Sequence, residues 1–109
     1  TMGNRLHGVN QSFDDSRRVL LAATAADVGR RLLAIRRDEL VSEGRPIAGG
    51  WPGTLREARA LAAAVLASVF AQRRLSSPTS EEVDWVTGTA NEEARRAWRT
   101  SAEKRPARR

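Results

Sequence analysis

Two Thr-x-x-Glu tetrads, Thr54-Leu55-Arg56-Glu57 and Thr79-Ser80-Glu81-Glu82, constrain this chain more than any other feature. Each is a capping box, in which the Thr hydroxyl and the Glu carboxylate satisfy orphan backbone donors at a helix start. Each therefore fixes where a helix begins. The first opens a long helix-forming run that reaches about Arg74. In it Leu55, Ala58, Ala62, Val65, Leu66, Val69 and Phe70 share one face. Ala60, Ala64, Ala67 and Ala71, spaced four, three and four, form a strip opposite that another helix could approach closely. Those four alanines are the candidate oligomer interface, and surface Ala serving only as a good helix former is the plainer account.

Upstream, Leu21, Ala25, Val28, Leu32 and Ile35 recur at spacings of four, three, four and three, which predicts an amphipathic helix over about 14–42. Ser12 or Asp14 can cap it. Gly29 costs about 1 kcal/mol relative to Ala there, or marks a close contact. After Ile35 the stripe falters, so the last two turns pack elsewhere or project. Gly44 and Pro46 stop the helix. Residues 44–53 form a Gly- and Pro-rich loop from which Ile47 and Trp51 are expected to fold back over the core. Gly44 and Gly49 have P-loop spacing, but Gly50-Trp51 replaces the required Lys-Ser or Lys-Thr, which excludes that motif.

The last helical region has two readings. Gly88 interrupts the pattern, and Asn91 with Glu92 and Glu93 offers a fresh start, so helices over 80–87 and 91–104 are expected. A single helix through Gly88 is the competing reading. With no strand alternation, the fold expected is all-α: a small bundle of three to four helices with a long first helix. Residues 1–12 read as a flexible arm, 13–104 as one helical domain and 105–109 as a basic tail.

The chain has 19 Lys plus Arg against 13 Asp plus Glu, one His and no Cys. Residues 1–94 are balanced; the excess positive charge falls on Arg95, Arg96, Arg99, Lys104, Arg105, Arg108 and Arg109. A basic end on a neutral body points to local contact with a polyanion; a solvated terminus is the bland alternative. No Cys and one His exclude thiolate chemistry and multi-histidine metal sites. His7 lies in the arm, and most paired acids sit in helix first turns, where the dipole explains them. No enzyme activity, cofactor, metal or small-molecule substrate is expected.

Ser16-Arg17-Arg18-Val19-Leu20-Leu21 resembles a twin-arginine export signal. The apolar stretch Val19–Ala26 is short for one, however, and its spacing continues as a helix. The longest apolar run, Ala60–Ala71, is too short to span a bilayer, and a cytoplasmic location without membrane partners is expected.

Residues 82–99, EVDWVTGTANEEARRAWR, resemble a helix-turn-helix DNA-binding unit. The resemblance implies that Val83 and Val86 face inward, Gly88 takes the turn, and Ala94, Ala97 and Trp98 seat the second helix. It places Arg95, Arg96 and Arg99 at phosphates or guanine edges. Lys104, Arg105, Arg108 and Arg109 become auxiliary backbone contacts, as in a nucleoid-associated protein. Asp84 departs from the Ala usual at its position, and Glu92 and Glu93 would repel phosphate. The alternative is a helical interaction or assembly module, a homodimer through the long first helix or the Ala strip, with its basic tail on an acidic protein surface. Trp85 lies off the Val83–Val86 stripe; if exposed it marks a partner surface.

Overall fold

The computed structural model describes residues 15–46 and 49–104, with side chains described to residue 100. The arm over 1–12, Asp14, Ile47 and the tail residues 105–109 lie outside the described residues. The chain forms three helices: α1 (Asp15–Ser42), α2 (Leu55–Gln72) and α3 (Ser80–Lys104). Among the described residues there is no strand, so this is a small all-α bundle whose first helix is the longest. No described helix is long and apolar enough to cross a membrane.

Both capping boxes form. The Glu57 and Glu82 backbone N–H groups donate to the Thr54 and Thr79 hydroxyls at 3.1 Å each. Glu82 Oε1 accepts in return from the Thr79 N–H at 2.8 Å. α2 and α3 thus start where their tetrads dictate. Between them, Arg74 adopts φ 60°, a left-handed turn residue of a kind uncommon outside Gly.

The core is shared by all three helices. Leu21, Ala25, Val28 and Leu32 come from α1, and Ala58, Ala62, Leu66 and Phe70 from α2. Val83, Val86, Ala90, Ala94 and Trp98 come from α3. Burying a Leu or Phe side chain contributes about 1.5–3 kcal/mol, so this apolar seam holds the bundle together. Of the other positions on the expected faces, Val65 and Val69 are partly buried against the core, whereas Ile35 is 43% exposed and Leu55 60%. Leu55 is the first residue of α2, and Ile35 falls where the α1 stripe runs out.

Small residues set the α1–α3 crossing. A Cβ built on Gly29 would lie 3.2 Å from the Ala90 carbonyl oxygen, so Gly29 is where the two backbones come together. The loop before α2 closes over the same side. Trp51 Nε1 donates to Asn91 Oδ1 at 2.9 Å, and Trp98 Nε1 donates to the Gly49 carbonyl at 3.1 Å. The two indoles meet edge to face, with centroids 5.6 Å apart. Trp51 does fold back, and Trp98 is a core anchor.

Candidate functional site

The expected break at Gly88 is absent: α3 is one helix of 25 residues. The cause lies in its buried stripe. Val83, Val86, Ala90, Ala94 and Trp98 are spaced three, four, four and four, and all five face the core. Keeping that stripe in register outweighs the ~1 kcal/mol cost of one helical glycine. Without a turn there is no second helix to project, so the two-helix geometry of a helix-turn-helix unit does not form.

Continuity puts a different set of residues in a line. Glu81, Asp84, Gly88, Glu92, Arg95 and Arg99 are spaced three, four, four, three and four. They run along the side of α3 opposite the core. All are exposed except Glu92, which is partly covered. Gly88 lies mid-stripe, and a Cβ built there meets nothing within 4 Å. Beside it is a shallow groove lined by Asp84, Trp85, Gly88, Thr89, Glu92, Glu93 and Arg96. Trp85 is half-buried, with part of its ring packed on the core and part forming the groove wall.

The candidate nucleic-acid residues divide. Arg95 Nη2 lies 2.5 Å from Glu92 Oε2, and Arg96 Nε lies 3.4 Å from the same oxygen. Chiefly through the hydrogen bond from Arg95, the Glu92 carboxyl is held below the ordinary glutamate range. Two of the expected phosphate contacts are therefore already shared with a carboxylate of their own helix. Arg99 is exposed, and among the described residues it forms no ion pair. Lys104 ends α3 without a described side chain, and Arg105, Arg108 and Arg109 lie outside the described residues. Asp84, the departure from the helix-turn-helix pattern, pairs with Arg59 of α2.

The candidate interface alanines Ala60, Ala64, Ala67 and Ala71 are all exposed. Ala64 lines a groove between α1 and α2 together with Leu61, Val65 and Val69. No family model, curated protein or solved structure matches the chain.

Two polar constellations carried no signal in the spacing. Arg17, half of the apparent twin-arginine pair, bonds Glu82 with Nε and Nη2 at 2.7 Å each. It also donates to the Ser76 and Ser77 carbonyls at 3.3 Å, and its guanidinium lies 4.5 Å from the Phe70 ring centroid. Arg17 thereby ties the start of α1 to the α2–α3 turn. The Arg17 hydrogen bond holds the Glu82 carboxyl below the ordinary range, against the opposing effect of burial. At the other end, Arg36 Nη2 donates to both Glu57 oxygens at 2.6 Å, which raises the Arg36 pKa. Both glutamates already serve capping boxes, so each cap is also an inter-helix clamp.

Proposed function

We propose that this protein is a helical protein–protein interaction module that works through the outer side of α3. The observation that carries this reading is Gly88: a glycine in mid-helix, exposed, with open space where a side chain would stand. Gly29 is accounted for by the backbone pressed against it; among the described residues no group presses on Gly88. A position that lowers helix stability by about 1 kcal/mol, without relieving any internal crowding, fits close approach by a partner backbone. The half-buried Trp85 at the groove wall is of a residue type enriched at interface hot spots. The test uses the absence of native Cys. A photoreactive group carried on Thr89→Cys should capture a protein at a discrete mass, and the same group on Ala60→Cys should not. Equal, diffuse labelling from both positions would remove the reading.

A second reading is kept for one observation: Arg99 is exposed without a described ion pair and stands on the helix that leads into the basic C-terminal residues. This reading makes the chain a DNA-associated protein that contacts phosphates along the α3 C-terminal half, without a helix-turn-helix. It expects affinity that falls steeply with salt and is lost in the double variant Arg95→Ala, Arg96→Ala with the helical signal unchanged. Full retention by that variant on DNA at moderate salt removes it.

A further inference from the structure

We infer that the partner of the α3 face is a second copy of this chain, docked antiparallel with Gly88 on the two-fold axis. The inference deepens the interaction-module reading and rests on it. Its ground is the order of charges along the exposed stripe. Reading outward from Gly88, Asp84 and Glu81 lie toward the N-terminal end, four and seven residues away. Glu92, Arg95 and Arg99 lie toward the C-terminal end, at four, seven and eleven. The stripe is acidic at one end and basic at the other, with its side-chain-free point between them.

Reversing one copy against the other about Gly88 brings Glu81 opposite Arg95 of the second copy, and symmetry repeats the pair. Arg99 lies one turn beyond, about 6 Å along the axis, so it reaches the same carboxylate. Among the described residues neither Glu81 nor Arg99 has an ion pair of its own, so both are available to a second copy. The like-charge opposition, Asp84 with Glu92, is repeated by the same symmetry, and each carboxylate keeps a cation beside it that the inter-copy pair does not use: Arg59 for Asp84 and Arg96 for Glu92. A parallel arrangement would set acid against acid and base against base, and would align the helix dipoles unfavourably. At the axis two glycines face each other. The helices can then approach more closely than the ~8–10 Å usual between packed helices, with Trp85 and Thr89 of each copy flanking the contact.

The experiment is sedimentation equilibrium on the purified full chain, combined with cysteine pairing. Wild type should reversibly dimerise. Glu81→Arg and Arg95→Glu should each weaken the dimer about tenfold, because symmetry counts each broken pair twice. The double swap Glu81→Arg, Arg95→Glu should bind more tightly than either single swap, since the inter-copy pair is restored with its sign reversed, though not fully to wild type, because the Glu92–Arg95 pair within each copy is lost. Gly88→Cys should form an inter-chain disulfide in air, as its Cα atoms come within the ~7 Å that a disulfide requires; Ala64→Cys should not. A purified chain that stays monomeric, with Gly88→Cys no faster to oxidise than Ala64→Cys, overturns the second copy. If Thr89→Cys still captures another protein, the interaction-module reading survives that result; if it captures nothing, both fall. A dimer whose strength ignores both single swaps also overturns the inference.

Discussion

Arg17 and Glu82, 65 residues apart in the chain, meet in a two-pronged ion pair, with Glu82 only 1% exposed. The same carboxylate caps α3 through the Thr79 N–H. One side chain therefore starts α3 and binds it to the start of α1, and the energetics of the bundle should be sensitive to it.

Removing the cation leaves a buried carboxylate without its main partner. Arg17→Met is expected to cost about 3 kcal/mol, within the range for breaking one side of a buried pair. Urea unfolding followed by helical circular dichroism measures it. A cost under about 0.5 kcal/mol would show the pair to behave as an exposed one.

The same pair sets an acid limit. Arg17 holds the Glu82 carboxyl below its ordinary value of 4.5. With the folded pKa lowered, the unfolded chain binds the proton more readily, so stability rises with pH in this range. The contribution is complete above pH 4.5 and is lost as pH falls through the lower folded value. Glu82→Gln should therefore be less stable than wild type at neutral pH and lose less stability between neutral and acid pH. Parallel pH profiles for the two proteins would contradict this.

The two glycines inside helices should respond in opposite directions. Gly29→Val drives a side chain toward the Ala90 carbonyl and is expected to destabilise by about 2 kcal/mol. Gly88→Ala adds a methyl to open space and should stabilise the dilute monomer by up to ~1 kcal/mol. Thermal unfolding of the two variants checks the contrast.

At the loop, a Cβ on Gly53 would run into the Trp51 ring. Gly53→Ala is expected to push Trp51 off Trp98 and Asn91, at a cost of about 1–3 kcal/mol. Tryptophan emission should shift to the red. An unchanged spectrum would mean that the loop accommodates the methyl without releasing the indole.

Local chemistry was the legible part of the fold. Thr54, Glu57, Thr79 and Glu82 announce their caps within four residues, and the α2 core face follows from spacing alone. Trp51 was readable as a core cover because an indole in a Gly- and Pro-rich loop has few other apolar places to go. Gly88 misled because its penalty is local, whereas the register that overrides it is set by contacts with α1 and α2. Arg17–Glu82 and Arg36–Glu57 were invisible for a related reason. A guanidinium in an arginine-rich chain carries no mark of which distant carboxylate it meets, and Arg17 stands in a pair that resembles an export signal. On the candidate site, the exposure of Arg95, Arg96 and Arg99 was foreseeable, but the Glu92 partnership depended on the helix continuing.

Both the loss of the helix-turn-helix geometry and the interaction face rest on α3 being unbroken. Amide hydrogen exchange across residues 84–92, read by NMR on the full chain, tests this most directly. Slow exchange at Gly88 and its neighbours, comparable with Ala94 and with residues of α2, is the expected result. Fast exchange confined to residues 87–91, with protection resuming beyond them, would contradict it and restore the two-helix reading.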